Sequence, residues 1–207
     1  TGSDRILKLI NKGFDADTVV RSGCMAKDAD MILSEFILLG IGGKELSEEN
    51  AAQTAKALNI IQPDFIRVHA TGIKLESKLG EFVRDGSFTL QSEEEIVIEQ
   101  KLFLQQLHEM DSYYVNEHIV NLLLEVRGNL RTEKQEMLST IDRFLTLPPD
   151  ERLLFTVGRR LNIFFRLDDL KKPKLHQKAG ESLQQILSKN PHVDFAALCN
   201  YVRQSQI

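Results

Sequence analysis

Arg67 and His69 stand two residues apart in DFIRVHA, and Glu35 interrupts the apolar run MILSEFILLGI. A guanidinium, an imidazole and a carboxylate on successive strands offer two kinds of chemistry. His69 can serve as an acid or base or hydrogen-bond a ligand; a satisfied interior histidine is the plainer reading beside it. Glu35 and Arg67 can line a charge-compensated interior together with His69, or close as a structural ion pair. Pairing is expected either way, because an unpaired buried charge is strongly unfavourable. The second candidate is the G-x-G-G turn at Gly40, Gly42 and Gly43, followed by Ser47, Glu48 and Glu49. Strand, glycine loop and helix start would set backbone N–H groups at the edge where parallel α/β folds bind ligands. The spacing is not G-x-G-x-x-G and no G-K-S/T follows, which disfavours dinucleotide and P-loop readings. A tight turn is the plain alternative.

Other chemistry is thinly represented. Cys24 and Cys199 are the only cysteines and lack metal-ligand spacing, which argues against a disulfide framework and a zinc site and fits a reducing cytoplasm. Cys24 reads as packing. His108, His118, His176 and His192 show no metal-like spacing. Arg159, Arg160, Arg166, Lys171, Lys172 and Lys174 form the most basic region; Asp168 and Asp169 interleave with them, so it reads as a solvated face. Glu93, Glu94 and Glu95 read as a solvated helix start. The 207 residues carry a net charge of -4 and no Trp, which argues against a nucleic-acid surface or a base-stacking platform. No segment has the length and apolarity of a membrane span, and no signal-peptide pattern opens the chain.

The elements that must position these residues follow from periodicity. DRILKLINKG predicts a helix with Ile6, Leu9 and Ile10 on one face, Ser3 or Asp4 as N-cap and Gly13 as its stop. A second helix, about 15–26, turns Val19, Val20 and Met25 inward. Residues 31–41 read as a strand covered on both faces, because the run is almost continuously apolar. A helix at 47–60 carries Ala51, Ala55 and Leu58 as a narrow stripe and ends at Gln62-Pro63. Residues 64–70 alternate as a second strand, Ile66, Val68 and Ala70 on one face and Phe65, Arg67 and His69 on the other. Residues 71–90 read as a long loop. Ser92 and Glu95 make a capping box opening a helix over 92–109, with Ile96, Ile98, Leu102 and Leu107 buried. Tyr113–Val115 forms a short edge strand and 118–126 a helix. Residues 132–145 and 149–161 are a helical pair joined at Pro148-Pro149, and 174–206 two helices parted at Asn190-Pro191. Strand–helix alternation gives way to helices near residue 112, where the domain boundary is placed: 1–112, then 113–207. The fold class is α/β followed by an α-helical region.

Several stretches, in this order and spacing, resemble radical S-adenosylmethionine (SAM) proteins: TGSDRILKLINKG their fourth strand's end and following helix, FILLGIGGKELSEEN the fifth strand and its turn, and PDFIRVHATGIKLESKLGEF the sixth strand and its loop. The helical stretch from Tyr113 to Arg160 is similar to the tail of one bacterial branch. The resemblance covers about residues 1–165. It implies part of a parallel (β/α) barrel of six strands holding a [4Fe–4S] cluster and SAM, which is cleaved reductively to start radical chemistry. Carried onto matching positions, it implies that Gly40, Ile41 and Gly43 meet the adenine, Ser3 lies near the ribose, Lys12 pairs with the SAM carboxylate, and the segment with Arg67 and His69 meets the adenine edge. Lysine is a point charge where a bidentate arginine is usual. The cluster motif C-x3-C-x2-C and the first three strands are not in this sequence, so the chain reads as a carboxyl-terminal portion, inert by itself, without cluster or SAM of its own. An exposed sheet edge then favours self-association. The reading from another class is a non-catalytic domain that docks a protein partner through its helical tail.

Overall fold

The computed structural model describes residues 1–74 and 76–205. Leu75, inside the expected loop, and Gln206, at the end of the last expected helix, lie outside the described residues. The chain runs α1 (Asp4–Leu9), α2 (Ala16–Asp28), β1 (Ser34–Leu39), α3 (Ser47–Ile61), β2 (Phe65–Ala70), α4 (Lys78–Arg84), α5 (Glu93–Gln106), β3 (Tyr113–Val115), β4 (Gly128–Asn129), α6 (Lys134–Leu145), α7 (Pro149–Arg160), a 3-10 turn at Leu167–Lys171, α8 (Pro173–Lys189) and α9 (Phe195–Gln204). The strands form an open sheet in the order β1-β2-β3-β4; β1, β2 and β3 are parallel, and β4 closes the sheet antiparallel to β3.

The register explains which face is buried. Ile37 and Leu39 of β1 lie level with Val68 and Ala70 of β2, and Ile66 lies level with Tyr114 of β3; all six are buried. They meet Ala51, Ala55 and Leu58 of α3 and Ile96, Phe103 and Leu104 of α5 in one apolar core. This core continues past residue 112 through Leu123, Ile141, Phe144, Phe155 and Phe164. The opposite face keeps Phe36 61% exposed and Arg67 and His69 partly exposed, so the expectation that β1 is covered on both faces is corrected. An apolar side chain every residue does not reveal which face another layer reaches.

Local chemistry accounts for the ends and for several further corrections. Ser3 caps α1, but the helix stops at Leu9 rather than Gly13, because Asn11 already adopts a left-handed φ of 53°. Ile6 and Leu7 are its buried residues, not the expected Ile6, Leu9 and Ile10. In α2 the close contact is made by Gly23 on Ile61, leaving Met25 71% exposed instead of inward. The 71–90 stretch is not loop throughout: Ser77 accepts the Gly80 N–H at 3.1 Å and caps α4. The capping box of Ser92 and Glu95 forms, but α5 ends at Gln106 and leaves Ile98 exposed.

The expected helix at 118–126 is replaced by irregular chain. Beyond Val115, where the β3 pairing ends, Asn121 takes over: its Oδ1 accepts the Ala70 N–H at 2.7 Å and its Nδ2 donates to the Val68 carbonyl at 2.7 Å. Asn116 donates to the Leu123 carbonyl at 2.6 Å. Arg159 donates to the carbonyls of Ile119 and Asn121, and Arg160 to that of Val120. Asn116, Arg159 and Arg160 thus satisfy carbonyls that a helix would have paired within itself, while Asn121 completes the backbone pairing of β2. The same bonds draw Arg159 and Arg160 inside, both buried, which corrects their reading as a solvated face.

A glycine in α7 sets how closely this tail packs. A Cβ on Gly158 would lie 2.4 Å from the Phe164 ring, itself stacked on Phe155. Gly158→Ala is therefore expected to destabilise by about 1–3 kcal/mol through overpacking. Urea unfolding followed by far-ultraviolet circular dichroism measures it; an unchanged midpoint would contradict this packing.

Candidate functional site

The glycine turn sits at the C-terminal end of β1 as the strand–loop–helix order predicts, with Gly40 and Gly43 at φ of 83° and 63°. The space beside it is filled by protein. A Cβ on Gly42 would lie 2.9 Å from the Leu46 carbonyl oxygen, and one on Gly43 2.9 Å from that of Thr89. At the start of α3 lies the carboxylate of Glu99, reaching over from α5. Its Oε1 accepts the Gly40 N–H at 3.1 Å and Asn50 Nδ2 at 2.7 Å, and its Oε2 accepts the Ser47 hydroxyl at 2.9 Å. Gln91 donates to the same hydroxyl at 2.8 Å. Burial raises the Glu99 pKa more than these bonds lower it. The protein thus supplies its own carboxyl group where the loop and helix start offer hydrogen-bond donors.

Lys12 and Ile41 are brought together, although 29 positions separate them. Both line a groove of about 320 Å³ along the outer edge of β1, with Phe14, Glu35 and Phe36. Ile41 is buried and Lys12 exposed. Burial raises the pKa of Glu35. The expected pair of Glu35 with Arg67 does not form. The register sets Glu35 level with Ile66, on the face of Ile37 and Leu39, whereas Arg67 is level with Phe36 on the opposite face. Arg67 donates from Nε to the Ser34 hydroxyl at 3.0 Å instead. Ser3 is buried as the cap of α1 and donates to Glu49.

On the open face, the His69 ring meets Phe36 edge-on at 5.5 Å and stacks on His118 at 4.2 Å. Burial, then the neighbouring His118 and Arg67, hold the His69 pKa below the usual imidazole value. Arg67 lies 5.9 Å from the centroids of both Phe36 and Phe65. His118 was no candidate on spacing alone, because 49 positions and an irregular segment separate it from its partner.

A second polar cluster joins the sheet unit to the tail. Glu93, expected to be solvated, is buried: it accepts Arg160 Nε at 3.0 Å, Arg160 Nη2 at 2.5 Å and Arg203 Nη1 at 3.0 Å. Glu94 and Glu95 remain at the surface side of the turn, paired with Arg152 and Lys44. Cys199 lies beside this cluster, its thiol pushed up to about 12 chiefly by burial, and is no ready nucleophile. Among the described residues no group of three His, Cys, Asp or Glu is arranged to hold a metal ion, and no helix is long and apolar enough to cross a membrane. No protein-family model matches the chain, and neither a curated protein nor a solved structure does.

Proposed function

We propose that the chain is the carboxyl-terminal part of a radical SAM enzyme, its parallel strands completing one side of a partial (β/α) barrel. The observation that carries this reading is the shared groove of Lys12 and Ile41. The resemblance assigns these two residues to opposite ends of one molecule, the carboxylate and the adenine of SAM, and they line a single cleft. The sheet's asymmetry supports the same reading: helices cover one face, as on the outside of a barrel, and the other carries partly exposed polar and aromatic groups, as on the inside.

In this reading the Lys12 ammonium meets the SAM carboxylate as a point charge, and Ile41 and Phe14 pack on the nucleoside. The cluster does not fit this chain, because a [4Fe–4S] centre is ligated by cysteine thiolates and only Cys24 and Cys199 are available, one on α2 and one on α9. Its ligands belong upstream. When bound, the cluster and SAM supply the radical chemistry; the residues of this chain orient the cofactor and exclude water.

The test is the upstream reading frame and its product. C-x3-C-x2-C ahead of Thr1, and iron–sulfur absorbance in the longer protein purified anaerobically, are expected; an iron-free, colourless protein would end the proposal. The reading as an interaction domain is favoured by one observation, that the 17-residue helix α8 buries only Ala179. An upstream sequence without the cysteines would leave that reading standing.

A further inference from the structure

The open face of the sheet carries a cation that nothing among the described residues neutralises. Arg67 is pinned by its bond to Ser34 and flanked by Phe36 and Phe65. Among the described residues its two terminal nitrogens have no hydrogen-bond partner and no carboxylate pairs with it. Two residues along the strand, on the same face, His69 stacks on His118. The nearest acid in sequence to that pair, Glu117, is already paired with Arg127. Arginine held this way loses little rotamer freedom on binding and presents a fixed fork, the geometry that carboxylate and phosphoryl oxygens match. The ring of Phe36, 61% exposed beside the fork, offers a stacking surface for a flat group.

We propose that Arg67, with His69 and His118, forms a receptor for the oxyanion of a small ligand whose flat ring lies on Phe36. The oxygens of the oxyanion accept from the two terminal nitrogens of the guanidinium and from the imidazole N–H groups. The receptor goes beyond the SAM reading: Lys12 and Ile41, in the groove at the outer edge of β1, take no part in it, and Phe36 borders both, so the Lys12 and Arg67 variants test the two separately. In an intact barrel this face would meet the substrate, which would then carry a carboxylate or a phosphoryl group.

Two probes separate the head groups, benzoate and phenyl phosphate, with neutral benzamide as the control. Proton NMR follows the ring signals of His69 and His118, assigned by His69→Gln and His118→Gln variants. At least one anionic probe is expected to shift both signals saturably, and to move the His69 titration upward, because a bound anion favours the imidazolium over the opposing Arg67 and His118 charges. The probe that binds tighter names the head group. Arg67→Gln should weaken binding by about ten-fold or more, and Arg67→Lys, which keeps the charge without the fork, by less. Benzamide binding as well as benzoate, full binding by Arg67→Gln, or no saturable shift with either anion would overturn the receptor.

Discussion

Replacing Glu93 by alanine is expected to lower the unfolding free energy by about 3–5 kcal/mol. The carboxylate is one acceptor for two buried guanidiniums, Arg160 from α7 and Arg203 from α9. Removing it takes the shared carboxylate from both, beside a third buried guanidinium, Arg159, whose Nε and Nη1 have no partner among the described residues and whose pKa is depressed to about 10, chiefly by burial. Among the described residues Arg203 keeps the Gln91 carbonyl and Asn200 Oδ1 as acceptors, and Arg160 keeps the Val120 carbonyl. Glu93→Gln keeps one acceptor oxygen and loses the charge, so an intermediate loss is expected. Arg203→Met should be milder than Glu93→Ala, because Glu93 then keeps Arg160 in its two-bond geometry. Urea titrations of the three variants measure the order. A Glu93→Ala protein within about 1 kcal/mol of the parent, the range of a surface pair, would show that the cluster is not buried as described.

Glu99→Ala is expected to lose on the order of 3 kcal/mol, from a cavity and from the donors of Gly40, Ser47 and Asn50 left without their acceptor. The informative variant is Glu99→Gln, because it separates shape from charge. Burial raises the folded-state pKa of Glu99 above its unfolded value. Between those two values the folded protein binds more protons than the unfolded one, so the contribution of Glu99 to stability falls as pH rises through that window. Glutamine does not titrate. The Glu99→Gln protein should therefore gain on the parent as pH climbs from the unfolded carboxyl range through the folded pKa. Subtracting the two stability–pH profiles isolates this group from Glu35 and Glu125, which are raised in the same direction and remain in both proteins. A constant difference across that window would mean that Glu99 does not change its proton affinity on folding.

Much of the scaffold was readable because its signals are local. The alternation of DFIRVHA marked β2 and its two faces, the capping box marked the start of α5, and Pro148-Pro149 marked the joint between α6 and α7. What escaped depends on partners distant in sequence. The Glu35–Arg67 pair looked natural until the parallel register put the two residues on opposite faces of the sheet. Residues 118–126 had helical spacing, but Arg159 and Arg160 offered their carbonyls partners from 38 to 40 positions away, and Asn121 turned its side chain to the backbone of β2. Glu93 and Glu99 did carry a signal. Both lie three residues from Ile96, and Glu99 lies four before Phe103, so they share the buried side of α5 by helical spacing alone. A charge count saw an acidic helix start; the period shows acids turned toward the core. For the candidate groove, Lys12 and Ile41 came from resemblance, and their common cleft could be seen only once α1 and β1 were side by side.

The proposed SAM site is the groove beside β1, completed by upstream chain. Its most direct test is reductive cleavage by the longer, anaerobically purified product of the reading frame. Given dithionite and SAM, that protein should release 5′-deoxyadenosine, and Lys12→Ala and Ile41→Asp should raise the SAM concentration needed for half-maximal release. A cluster-loaded protein that yields no 5′-deoxyadenosine, or one in which neither substitution alters the SAM requirement, would contradict it.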